Sequence, residues 1–122
     1  MIVHMCVGTN DLARGAKFYD AIAAELGATR MMETEKAIGW SNPGTGIGIA
    51  ITLPFDGKPA TVGNGVMATI GAKNREQVDR LHAIALANGG TDEGPPGIRA
   101  NGFYAAYFRD PDGNKLNTFA MP

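Results

Sequence analysis

Hydrophobic and polar positions alternate in segments too short for a long helix and too regular for a disordered chain. Residues 2–8 (IVHMCVG) are apolar and partly β-branched, which predicts a strand. Thr9, Asn10 and Asp11 offer helix caps, and Leu12, Ala16, Tyr19, Ile22, Ala23 and Leu26 follow at spacings of three and four. That spacing predicts a helix over 12–26, stopped by Gly27. Strands are predicted at 28–33, 37–41 and 47–53, separated by polar or glycine-rich turns. Residues 54–63, with two prolines and a glycine-containing run, read as a connector.

The pattern then restarts. A strand is predicted at 65–71 and a helix over 75–88, capped by Asn74, with Gln77 placed for a capping box. Val78, Leu81 and Ala85 mark its apolar side, with Ile84 beside it; Gly89 and Gly90 end it. A weak strand at 91–94 and a loop holding Pro95 and Pro96 come next, then strands at 103–109 and 115–120 joined by DPDGN.

An offset of 63 residues relates the halves: Gly8 falls on Gly71, Asp11 on Asn74, Phe18 on Leu81 and Gly27 on Gly90. Each pair does the same local job, as strand end, cap, helix core or helix stop. The expected organisation is one domain, 1–122, with an internal repeat of 1–53 and 64–122. A helix on one face of a small sheet leaves the other face open. Two such units can set their open faces around a cleft, the default place for a ligand.

Composition narrows the function classes. At 44% hydrophobic and 19% charged residues, the chain can bury a core without staples. A formal charge of -1 with scattered basic residues gives no footprint for nucleic acid or an anionic membrane. Cys6 is the single cysteine, so no intrachain disulfide forms, which suits a reducing, cytoplasmic setting. Neither a phosphate-cradling glycine loop ahead of a helix nor a nucleophile elbow around Ser41 is present. The Asp110–Asn114 turn lacks the twelve-residue span and final Glu of a calcium loop.

The closing FYAAYFRDPDGNKLNTF, the opening VHMCVGTNDLARGAKFYD and the middle GNGVMATIGAKNREQVDRLHAIALANGG together resemble the vicinal oxygen chelate superfamily. That group includes glyoxalase I, bleomycin-resistance proteins and extradiol dioxygenases. The resemblance covers nearly the whole chain. It implies an α+β fold of paired βαβββ modules, with mixed curved sheets around a cleft, and commonly a homodimer. It also implies metal ligands on strands facing that cleft. His4 matches the first. Met67 stands where the second His is expected, and Asn117 where a Glu is expected. The remaining ligand, Glu or Gln in metal-binding members, has no counterpart in GIGIAITL.

The repeat reaches part of this on its own, because Met67 is the offset partner of His4. A thioether binds hard or borderline divalent ions weakly, and a neutral Asn supplies no charge. No metal or other cofactor is therefore expected. The candidate ligand-pocket residues are His4, Trp40, Met67, Tyr107, Arg109 and Asn117, with Tyr104 and Arg99 behind them. Strand alternation puts Tyr107 and Arg109 on one face and Tyr104 on the other. Cys6 shares the face of His4 but reads as a small buried filler, and His82 as an exposed or boundary residue. The expected function is metal-independent binding of a small organic molecule. The competing readings are a metal-dependent lyase or dioxygenase with rearranged ligands, and a non-catalytic interaction module.

Overall fold

Asp11 caps the first helix by accepting a 3.0 Å bond from the Arg14 amide, and Gly27 closes it with φ 71°. In a computed structural model that describes residues 1–122, these signals bound α1 (Leu12–Leu26). It lies between β1 (His4–Gly8) and β2 (Thr29–Glu33), with β3 (Ala37–Ser41) and β4 (Gly48–Thr52) following. The second half holds β5 (Ala68–Gly71), α2 (Arg75–Ala87), β6 (Thr91–Ile98), β7 (Tyr104–Arg109) and β8 (Lys115–Ala120). Gln77 completes the capping arrangement one residue upstream of the expected place, accepting from the Lys73 amide.

The two four-stranded sheets have the same order, β1-β4-β3-β2 and β5-β8-β7-β6. In each, the strand before the helix pairs in parallel with the last strand of its module, and the other pairs are antiparallel. The fold is α+β, with paired βαβββ modules as expected. Two boundaries differ from the sequence reading. First, β5 begins only at Ala68, because Gly65 adopts φ 94° in the preceding turn. Second, β6 runs on through Pro95 and Pro96, where a loop was expected. It is the outer strand of its sheet, and its pairing slips between Asp92 and Gly94 and again before Gly97. An outer strand with bulges tolerates residues that lack an N–H.

The modules share one core. Phe18, Tyr19 and Ile22 of α1 pack into the same apolar cluster as Leu81, Phe108 and Leu116 of the second half. Tyr19 is almost fully buried, and its hydroxyl donates to Asp110 at 2.7 Å. Burial, then the Asp110 carboxylate, pushes its phenol pKa well above the ordinary value. A raised folded-state pKa stabilises fully below the unfolded phenol value of about 10, and the benefit is lost as pH rises past it. In an alkaline titration, the near-ultraviolet phenolate signal of Tyr19, isolated by comparison with Tyr19→Phe, should appear only as far-ultraviolet dichroism collapses. Ionisation of Tyr19 in the intact fold would contradict this.

Candidate functional site

The alternation of burial along each strand shows which side chains leave the core. In β1, Val7 is buried and Met5 partly so, while His4 and Cys6 are exposed on the opposite face. Register extends that outer face across the sheet: His4 pairs with Gly48, Cys6 with Ala50, Gly39 with Ala50 and Ser41 with Gly48. The outer face is therefore floored by small residues, with Met31 and Met32 reaching over Gly39. Cys6 is not the buried filler expected of a lone cysteine, because Met5 and Val7 hold the core-facing positions. Partial burial still raises its thiol pKa.

In the second sheet, Leu116, Thr118 and Ala120 are buried with Ala106 and Phe108. Strand alternation then turns Asn117, Phe119, Tyr107 and Arg109 to the outer face. Tyr104 lies on the other side, its hydroxyl donating to Asp79 at 2.6 Å with Arg75 over its ring. The Thr69 hydroxyl donates to Asn117 Oδ1 at 2.7 Å. Arg109 donates to Glu93 at 2.7 Å and to the Gly113 carbonyl at 3.0 Å.

Trp40 points the other way from the outer face. It is 3% exposed, stacks near Tyr19 and donates from Nε1 to Asp20 at 2.7 Å. Hydrogen bonds from Arg30 hold the Asp20 carboxyl below its usual range, and the Trp40 bond adds to them. His82 is also buried rather than exposed, bonded through Nε2 to Asp92 Oδ1 at 2.8 Å and set edge-on to Phe108. Its position is legible in the repeat, because His82 lies 63 residues after the buried Tyr19.

Between the two sheets lies a recess of about 1250 Å³. The unpaired edge strands β1 and β5 flank it, and α1 contributes Ile22, Ala23 and Leu26. His4, Trp40 and Met67 all line it, so the structure brings three of the six candidates together there. Tyr107, Arg109 and Asn117 gather instead on the outer face of the second sheet. Thr69 joins the two regions: it borders the recess and bonds Asn117. Thr69 and Gln77, two polar groups at the recess, are not among the sequence's pocket candidates, and Gln77 is legible there only as a capping residue.

Residues 1–118 match the family model described as Glyoxalase/Bleomycin resistance protein/Dioxygenase superfamily. The chain belongs to this superfamily. A glyoxalase/bleomycin resistance protein from Albidiferax ferrireducens T118 is 43% identical, with TM-score 0.91 over 100% of this chain and 99% of that one. A glyoxalase-related enzyme from Fulvimarina pelagi is 21% identical, with TM-score 0.79 over 100% of this chain and 88% of its own. Lactoylglutathione lyase from Agrobacterium tumefaciens is 18% identical, with TM-score 0.70, covering 98% of this chain and 92% of that one. The last two show a shared fold. No curated protein matches.

Superfamily membership makes the donor set a direct question. Cys6 pairs with Ala50 as its offset partner Thr69 pairs with Asn117, so Ala50 is the structural counterpart of Asn117. If the ligand positions implied by the resemblance are carried onto this register, they hold His4, Ala50, Met67 and Asn117. One imidazole, one amide, one thioether and one methyl do not fit a divalent ion, which needs several imidazole, thiolate or carboxylate donors. Nowhere in the chain do three His, Cys, Asp or Glu side chains gather in a way that could hold a metal.

Proposed function

We propose that this superfamily member binds a small organic molecule without a metal ion. The recess carries the reading: it is large enough for a drug-sized ligand, mostly apolar, and edged by a few polar groups such as His4, Ser41 and Gln77. A recess of that volume is unlike a module whose cleft is filled by its own side chains. The donor set argues against Lewis-acid chemistry of the superfamily type. His4, Met67 and Trp40 would meet the ligand in the recess, and Tyr107, Arg109 and Asn117 along the adjoining sheet face.

A homodimer accords with the exposed apolar side chains of Ile2, Val3, Met31, Ile47, Phe55 and Met67, which a second copy would cover. No helix is long and apolar enough to cross a membrane.

The test is a thermal-shift screen of small organic molecules, run with and without a chelator, beside a zinc and nickel titration. Ligands should raise the melting temperature equally in both conditions, as any ligand selective for the folded state does. Neither metal should bind stoichiometrically at micromolar concentration. A tightly held metal whose removal abolishes ligand binding would overturn the reading.

A further inference from the structure

We infer that the outer face of the second sheet, around Tyr107, is a seat for the carboxylate of a small organic acid. The inference rests on the binder reading above and adds the charge of the ligand.

The seat is built by the backbone. Arg99 follows β6 directly and folds back across it, over Gly94 and Gly97. A Cβ on Gly94 would stand 3.2 Å from Arg99 Nη2, and one on Gly97 would stand 3.2 Å from Nη1, so the missing side chains make the room. Nη1 donates to the Gly97 carbonyl at 3.0 Å and Nη2 to the Pro95 carbonyl at 2.7 Å. Those bonds fix the guanidinium plane 5.3 Å from the Tyr107 ring centroid and leave further N–H groups to donate. Lys115 brings its ammonium to 5.6 Å from the same ring.

Neither cation has a carboxylate within 4.0 Å, whereas Arg109 beside them is already held by Glu93. Asp92 and Glu93 are near enough to interact with Arg99 and Lys115 but contact neither, so both cations keep N–H groups open to an anion beside the ring. A third group points the same way. Asn117 pairs with Tyr107 across the strands and is 6% exposed. Its Oδ1 accepts from Thr69, but its Nδ2 donates to no protein acceptor. That N–H keeps some solvent contact, so it is open to donate to a ligand oxygen in place of water.

The chemistry favours a carboxylate over a bare inorganic anion. A planar guanidinium suits a planar two-oxygen group. The edge-to-face pair Phe103 and Phe119, with ring centroids 5.1 Å apart, offers an apolar surface in the same part of the sheet.

The experiment titrates isotope-labelled protein with phenylacetate, naphthoate and indoleacetate, and with the neutral amide of each. Nuclear magnetic resonance follows the Asn117 side-chain amide and the Arg99 Nε–H. At least one acid should move both signals and bind about tenfold tighter than its amide, with the gap shrinking in high salt. Arg99→Gln and Lys115→Gln should each weaken the acid about tenfold and the amide by far less. Acids and amides that bind equally would overturn the seat while leaving the binder reading intact. Equal shifts from inorganic phosphate, with no gain from the ring, would overturn the organic acid. If no probe of either kind binds anywhere, the binder reading falls as well.

Discussion

Replacing Asp110 with alanine should lower the unfolding free energy by about 3–5 kcal/mol, since each buried donor left without its partner costs about 1–3 kcal/mol. Asp110 is 3% exposed and accepts four hydrogen bonds. They come from the Tyr19 hydroxyl at 2.7 Å, the Asp112 and Asn114 amides at 2.9 and 3.0 Å, and the Asn114 side chain at 2.9 Å. The total stays below the simple sum because the turn can relax and admit water. The effect also reaches beyond the turn. Asn114 donates to the Gly8 carbonyl, and Asp112 accepts from Thr9, the Asn10 amide and Arg14 at the start of α1. Residues 110–114 of one module thus clamp the strand end and helix start of the other.

Asp110→Asn keeps an acceptor and the shape, so its loss should be about half as large, because bonds to charged groups are worth about twice neutral ones. Urea denaturation of the two variants measures both. A loss below about 1 kcal/mol for the alanine variant, no more than a typical point substitution, would show that the clamp holds nothing.

This turn was legible in the sequence as a tight hairpin, but its grip on the other module was not. Local signals reach as far as caps, helix stops and strand alternation. Asp11, Asn74 and Gly27 place the helices within a residue, and parity separates Tyr104 from Tyr107 and Arg109. Which strand face meets the helix is a tertiary fact. Along β7 both faces carry aromatic or long side chains, so alternation alone cannot choose. Along β3 a signal existed: Ile38 and Trp40 are bulky while Gly39 and Ser41 are small, and the bulky pair turns to the core. Reading size as well as polarity assigns Trp40 to the core face, from which it borders the recess.

His82 and Cys6 went astray for related reasons. A mid-helix histidine suggests a boundary position, and only its offset partner, the buried Tyr19, pointed inward, since the bond to Asp92 crosses from α2 to β6. Cys6 is small and apolar enough to suggest burial, yet the larger Met5 and Val7 outcompete it for the core face. The metal positions were legible as a pattern of absences. Only the strand register could add that Ala50 is the counterpart of Asn117. The placement of Arg99 was not legible, since it depends on β6 continuing past both prolines.

The other large loss is expected from Phe18→Ala, at about 3–5 kcal/mol, the range for removing a buried phenylalanine. Phe18 has no exposed surface and sits where the modules meet. Its ring lies edge-on to Tyr19 at 4.9 Å and 6.2 Å from Phe108 of the other half. Gly90 presents bare backbone to it: a Cβ there would come within 2.9 Å of Phe18 Cε2. The wall of the resulting cavity therefore includes backbone from a second module, which collapses poorly, and the cost belongs near the top of the range. For a domain whose whole stability is about 5–15 kcal/mol, the variant approaches the unfolding threshold.

Function should change with it. Ile22, one helical turn beyond Phe18, lines the recess, so a shift of α1 into the cavity reshapes the space a ligand would fill. Urea midpoints report the stability term, and the melting-temperature gain from any ligand of the recess reports the functional one. A loss under about 1.5 kcal/mol, typical of a volume-conserving swap, with ligand response intact, would mean that the modules are not joined through this ring.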